Sequence, residues 1–300
     1  MIRVLLFTIL ALCAAPLQAE TLHANPITFH SVARDAKAGD TIVLDQRWIY
    51  GDLSLPRANH AVPVTIMASG TRARSLTIRQ TAGWKWMGGT IASPLPPAVW
   101  VNVFIDNSDR IEIVGTTLTG GQTGVLVTRG SQDITLRNNI ATGLRSDGFN
   151  IATASRVSLV GNMCTEFRPI PPVYRGTRLI KDGTHPDCIQ VWSENGKPAT
   201  SDIFIVGNRI GAGMQGITNF GARPPERVFV WNNDISMAGY WWAIAMNETT
   251  GADVRNNKVR TIQGSRAVGR PDLFVQAMVE TSDHAVRCGN EVDGDIDRQC

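Results

Sequence analysis

Charge is scarce in this 300-residue chain and nearly balanced: 29 Lys and Arg face 26 Asp and Glu, a formal net of +3, and charged residues make up 18%. No basic cluster of the kind that neutralises a phosphate backbone stands out, which excludes a nucleic-acid partner. Aromatic residues are also few, at 7%, although eight of them are Trp. Beyond the N-terminus no apolar stretch reaches the ~18 residues a membrane-crossing helix needs, so no membrane span is expected. An apolar content of 43% excludes a disordered chain, and the absence of a Gly-x-y period excludes a collagen-like one.

The N-terminus is a separate object. Arg3 precedes an apolar stretch over residues 4–15, and Leu17-Gln18-Ala19 offers a cleavage site before Glu20. This pattern reads as a signal peptide over residues 1–19, which places the protein in the periplasm or outside the cell. Loss of Arg3 lowers the net charge from +3 to +2. Of the five cysteines, Cys164, Cys188, Cys288 and Cys300 remain in that oxidising compartment. A bridge between Cys288 and Cys300 is expected, closing a short polar segment. Cys164 and Cys188 either pair or stay as buried thiols.

A repeat organises the rest. Six segments align without gaps, at 111–116, 134–139, 157–162, 203–208, 228–233 and 252–257. Their central apolar residues, at 113, 136, 159, 205, 230 and 254, are spaced by 23, 23, 46, 25 and 24. The doubled spacing marks an insertion in the third repeat, at 165–187. Within each segment apolar residues alternate, as in a strand with one buried face. A second buried position follows five residues later: Leu118, Ala141, Cys164, Ile210, Ile235 and Val259. Between the two runs a column of Thr116, Asn139, Asn162, Asn208, Asn233 and Asn257, whose amides can bond along a stack of strands. A third strand follows in each unit, as in Gly148-Phe149-Asn150-Ile151 and Cys188-Ile189-Gln190-Val191.

Short strands at a period near 23 leave no room for a helix per repeat, which disfavours an α/β alternation. The expected fold is all-β, a single-stranded right-handed parallel β-helix with three short strands per rung. It spans residues 20–265, with a capping helix at 29–40 and a C-terminal cap at 266–300 that leaves the repeat. Over about residues 25–265 the pattern resembles the pectin-lyase-like superfamily, and residues 38–44 resemble the first strand of many secreted polysaccharide lyases. That resemblance implies carbohydrate-active proteins: lyases, polygalacturonase-type hydrolases, epimerases and depolymerases.

The insertion marks the candidate site, because a regular rung needs no long loop. It holds Tyr174, Lys181 and His185, and it enters the strand carrying Asp187, Gln190 and Trp192. With Ile189 and Val191 turned inward, Cys188 and Gln190 are expected outward or at the strand edge. Stacking places Asp147 beneath Asp187 and Asn150 beneath Gln190, with Gln215 and Thr218 one rung on and Trp242 after them. Two carboxylates one rung apart raise each other's proton affinity unless a cation intervenes. Catalytic candidates are therefore His185, Asp187, Asp147, Lys181 and Arg145. Gln190, Asn150, Trp192, Tyr174, Gln215, Tyr240 and Trp242 are candidate substrate contacts, the aromatics as platforms for sugar rings. Asp147 and Asp187 are also candidate ligands for a metal, with Ca2+ as the possible cofactor.

The stacked Asp147-Gly148 and Asp187-Cys188-Ile189 resemble the paired Asp motifs of polygalacturonases. Pro186 stands where those enzymes carry a second carboxylate, Gln215-Gly216 replaces a His-Gly, and no Arg-Ile-Lys occurs. The string His185-Pro186-Asp187-Cys188-Ile189-Gln190 is similar to a His-x-Asp-x-Ile-Gln motif of other β-helix proteins. The expected function is a secreted lyase that cleaves a uronate-containing glycan by β-elimination, with His185 or Lys181 as base and Arg145 or Tyr174 near the leaving group. The alternatives are a glycoside hydrolase using Asp147 and Asp187 as its carboxylate pair, and a non-catalytic glycan-binding β-helix. The partner expected in each case is an acidic polysaccharide or oligosaccharide, bound by a monomer.

Overall fold

Alternating apolar residues solve the same packing problem once per turn, and the turns stack by backbone hydrogen bonds into one continuous core. The computed structural model describes residues 18–94, 101–175, 178–181, 183–221, 223–268, 270–282 and 285–297. The fold is a right-handed parallel β-solenoid of about ten turns with almost no helix. An 11-stranded sheet carries the first strand of each repeat in register, for example Ile111↔Ile134, Ile134↔Val157, Val157↔Ile203 and Ile203↔Val228. These residues are buried, as are Leu118, Ala141, Cys164, Ile210, Ile235 and Val259. Each fully buried aliphatic side chain contributes about 1.5–3 kcal/mol, so the repeated core dominates the stability.

The remaining strands of the turns join in one 18-stranded sheet rather than two separate ladders. The strand Arg72–Arg79 explains the merger, since it runs through the corner and pairs with both Thr90–Ala92 and Val101–Asp106. The asparagine column is present as a bonded ladder. Asn139 Nδ2 donates to Ile113 O and to Asn162 Oδ1, and Asn162 and Asn208 repeat both bonds one step on. Every polar atom of these buried amides is thereby satisfied, which is the condition for burying them at all.

Three expectations need adjustment. The helix is shorter than 29–40: it spans Phe29–Asp35 and stops at Ala36, which is extended. Asp40 instead accepts from the backbone N–H groups of Glu20 and Lys37. The segment after residue 265 does not simply leave the repeat. Met278–Thr281, Val286–Cys288 and Glu291–Val292 pair in parallel with the preceding turn, and Asn290 extends the ladder by accepting from Asn257. Its spacing of 33 residues from Asn257, with an antiparallel pair at Arg266–Ala267 and Arg270–Phe274 between them, hides this turn from a gapless alignment. Finally, Cys188 is not outward. It is fully buried and bonded to Cys164 in a disulfide. Here the chain turns a corner, so Cys188 and Ile189 both enter the core and the strict alternation breaks. Cys288 is disulfide-bonded as well, while Cys300 and residues 1–17 of the expected signal peptide lie outside the described residues.

Candidate functional site

The site is built on the strands Phe149–Ala152, Asp187–Trp192, Gln215–Thr218 and Trp242–Met246, stacked in that order. Register places Asn150 opposite Gln190, Asp187 opposite Gln215, Gln190 opposite Thr218, and Thr218 opposite Ala245. Gly216 keeps this stack close, because a Cβ there would lie 1.9 Å from Ala243 O. A larger residue would push the rungs apart beneath the site.

The insertion folds over these strands. Its ends are tied by Arg168 N–H to Leu144 O, Thr184 N–H to Ile170 O, and Ile170 N–H to the Thr184 hydroxyl. Gly183 fits only without a side chain, since a Cβ would meet Ile170 O at 2.4 Å. Further out, Val173–Arg175 and Arg178–Lys181 form a two-stranded antiparallel hairpin, an ordered element where an irregular loop was expected.

Beneath the insertion lies a polar network. Asn150 Nδ2 donates to Asp147 Oδ2 at 2.7 Å and to Gln190 Oε1 at 2.8 Å, while Trp192 Nε1 donates to Asn150 Oδ1 at 2.8 Å. Ser146 donates its hydroxyl proton to Asp147 Oδ1, and the Asp187 backbone N–H reaches the same oxygen at 3.4 Å. The Thr218 hydroxyl donates to Asp187 Oδ1 at 2.9 Å. Both carboxylates are deeply buried, Asp147 at 7% exposure and Asp187 at 1%.

Burial sets their protonation. It raises Asp147 above the ordinary carboxylate value, opposed by the Asn150 and Ser146 hydrogen bonds, the Asp187 N–H and the nearby His185. Asp187 is raised further, first by burial and then by the charge of Asp147, with only the Thr218 hydroxyl opposing. The two buried carboxylates therefore share a proton, and most of the hydrogen-bond donors converge on Asp147.

Above the pair a cleft of about 290 Å³ opens between the insertion and the next turn. It is lined by Pro172, Leu179, Gly183, Thr184 and His185 of the insertion, by Gln215, and by Gly239, Tyr240, Trp241, Trp242 and Val268. His185 is exposed, whereas Tyr240 is 9% exposed and close enough to Asp187 for that charge, after burial, to push its phenol up to about 12. Gln215 is buried, and its Oε1 has no hydrogen-bond partner. An unpaired buried acceptor costs about 1–3 kcal/mol, a penalty that a bound hydroxyl relieves.

Most sequence-derived site residues thus come together: Asp147, Asn150, Asp187, Gln190 and Trp192 in the network, and His185, Gln215, Tyr240 and Trp242 around the cleft. Two do not. Lys181 stands exposed on the hairpin, and half-buried Arg145 precedes Asp147; neither lines the cleft. The side chain of Tyr174 lies outside the described residues. Sequence reasoning missed Ser146 as a partner of Asp147 and the approach of Tyr240 to Asp187. The first has no motif. The second depends on the path of the loop before Trp242.

The carboxylates do not fit a Ca2+ cradle. Three of their four oxygens are met by N–H or O–H donors, with hydrogens pointing where a cation would sit, and a Ca2+ site takes six to eight oxygen ligands. Among the described residues no group of three or more His, Cys, Asp or Glu side chains gathers as a metal site.

No family model matches the chain, and no curated protein matches it in sequence. Among solved structures it is similar to an alginate lyase from Paenibacillus sp. str. FPU-7, at 17% identity and a TM-score of 0.54, over 89% of this chain and 97% of that one. The shared property is the fold. The surface protein and adhesin PfbA of Streptococcus pneumoniae is also similar, at 10% identity and a TM-score of 0.44, over 86% of each chain. The β-solenoid agrees with the fold that the repeat leads one to expect.

Proposed function

We propose that the protein is a polysaccharide lyase that cleaves a uronate-containing glycan by β-elimination. The observation that carries this reading is the cleft itself, whose lining brings together exposed His185 and buried Tyr240 beside a carboxylate pair that keeps one proton. In β-elimination a base removes the proton at C5, the C4–O4 bond breaks, a C4=C5 double bond forms, and the departing O4 takes a proton. His185 serves as the base. Tyr240 serves as the acid, since a phenol with its pKa at about 12 holds its proton at neutral pH. Gln215 Oε1, which has no partner in the folded chain, accepts from a hydroxyl of the bound sugar and orients the ring. Trp241 and Trp242 offer apolar faces to the sugar ring. Asp147 and Asp187 lie too deep to touch the sugar, and their hydrogen bonds to Ser146, Asn150 and Thr218 hold the strand ends in place. That burial also tells against a hydrolase, whose two carboxyl groups must flank an accessible glycosidic bond.

The Cys164–Cys188 disulfide suits an oxidising compartment, and among the described residues no helix is long and apolar enough to cross a membrane. The disulfide is consistent with a polymer met outside the cytoplasm. The test is incubation with alginate, polygalacturonate and glycosaminoglycans while following the ultraviolet absorbance of the unsaturated product. Absorbance that disappears in His185→Ala and Tyr240→Phe supports the proposal. New reducing ends without absorbance would replace the lyase with a hydrolase. Binding without either signal would make this a glycan-binding solenoid.

A further inference from the structure

A second charged cavity lies on the sheet face that carries the cleft. Arg79, Asp106, Thr128, Ala152 and Trp192 form one register column across successive strands. Trp192 bonds to Asn150 on the outward face, so by strand alternation the head of this column shares that face. Asp106 and Trp192 are three steps apart, about 14 Å at the ~4.8 Å strand spacing.

At the head of the column two arginines pair with one buried carboxylate, and a third lines the same cavity. Asp106 Oδ2 accepts from Arg79 Nε at 2.8 Å and from Arg129 Nη1 at 3.3 Å, with the aspartate side chain only 4% exposed. The arginine side chains remain 50% and 65% exposed. Arg57 lines the same cavity with Gln80 and Asn107, and among the described residues it makes no ion pair. Arg79 also rests over the Phe104 ring, 5.4 Å from its centroid. Neutralising Asp106 requires one arginine. Three leave a formal surplus of +2; Asp106 orients Arg79 and Arg129, and Arg57 adds an exposed third guanidinium to the same cavity. Such an arrangement suits a planar carboxylate, which two guanidinium groups can grip with little further loss of side-chain entropy. The other end of the face has the opposite sign: Glu280, which follows Ala245 in register, accepts from Trp242 Nε1 and Asn247 Nδ2.

We propose that Arg57, Arg79 and Arg129 form a distal anion site that holds a uronate carboxylate of the same glycan chain whose scissile sugar occupies the cleft. The acidic chain then runs along the solenoid axis from the cleft toward the N-terminal turns, away from Glu280. The identity of the anion rests on the acidic-glycan reading above; the anion site itself does not.

The test compares binding of uronate dimers and hexamers to the full protein carrying His185→Ala, with and without the added pair Arg57→Gln/Arg129→Gln. Both arginines are exposed, and Arg79 stays to pair Asp106. A control pair, Arg137→Gln/Arg209→Gln, removes the same charge from other faces. The expected result is hexamer binding weaker by about tenfold or more in the first pair, with dimer binding unchanged and the control near the parent. Equal hexamer affinity in all three proteins would overturn the proposal, as would an equal loss in the control. Inorganic sulfate whose binding needs Arg57 and Arg129, when hexamer binding does not, would overturn the assignment to a uronate. The two readings fail separately. Arginine-dependent hexamer binding without any unsaturated product removes the lyase and leaves the site, whereas product formation with arginine-independent binding removes the site alone.

Discussion

Replacing Asn208 by Ala puts a number on the ladder that holds the turns in register. Asn208 Oδ1 accepts from the Asn162 backbone N–H at 2.9 Å and from Asn162 Nδ2 at 3.1 Å. Its own Nδ2 donates to Leu159 O at 2.9 Å and to Asn233 Oδ1 at 3.0 Å. Alanine removes all four bonds and orphans two donors on Asn162, a residue only 1% exposed. At about 1–3 kcal/mol for each orphaned buried group, the loss is about 2–6 kcal/mol. Thr116 at the head of the ladder is the internal comparison. Its side chain donates only to backbone carbonyls, Gly88 O at 3.2 Å and Val114 O at 3.4 Å, and its backbone N–H bond to Asn139 Oδ1 survives substitution. Thr116→Val is therefore expected to cost about 1 kcal/mol. Urea unfolding followed by both Trp fluorescence and circular dichroism measures the difference and reveals whether the solenoid still melts as one unit. A loss below about 1 kcal/mol for Asn208→Ala, or one no larger than for Thr116→Val, would refute the claim that the amides act as a satisfied stack.

Further outcomes follow from the site and the covalent link. Tyr240→Phe keeps the ring packing and removes the acid, so kcat on an acidic glycan should fall by about 10²–10⁴-fold with KM little changed; a variant within twofold of the parent would remove Tyr240 from the chemistry. Asp187→Asn should flatten the dependence of stability on pH. The folded chain holds a proton on Asp187 more tightly than the unfolded chain, so the parent loses stability as pH rises from the ordinary carboxylate range through the raised value, and the variant, left with Asp147 alone, loses less. Denaturation between about pH 4 and pH 9 should show the variant gaining on the parent toward alkaline pH, and a variant weaker throughout would contradict the assigned direction. Opening the Cys164–Cys188 link, which spans a sequence separation of 24, as the double Ser variant should cost about 3.5 kcal/mol by loop entropy and loosen the insertion; unchanged unfolding would show that packing alone holds it.

Much of the site was legible because a solenoid turns sequence spacing into spatial adjacency. Asp147 beneath Asp187, Asn150 beside Gln190 and Thr218 after it all follow from counting inward residues along the repeat. Counting fails at the corner, where Cys188 and Ile189 both turn inward, because alternation holds only while the strand stays straight. It fails again past residue 257, where the inserted antiparallel pair stretches the last turn beyond the regular spacing.

By itself, the sequence determined the parallel stack, the inward column, the asparagine ladder and the place of the insertion. These are periodic properties, and each turn repeats the same local choice between burial and exposure. The tertiary structure decided which groups meet across turns by way of loops. It brought His185 and Tyr240 to the lining of one cleft, carried Lys181 out on a hairpin, and buried both carboxylates. No spacing rule reaches those outcomes, since a loop's path depends on what packs beneath it. Burial also decides the charge of a carboxylate, and burial is a property of the assembled turns.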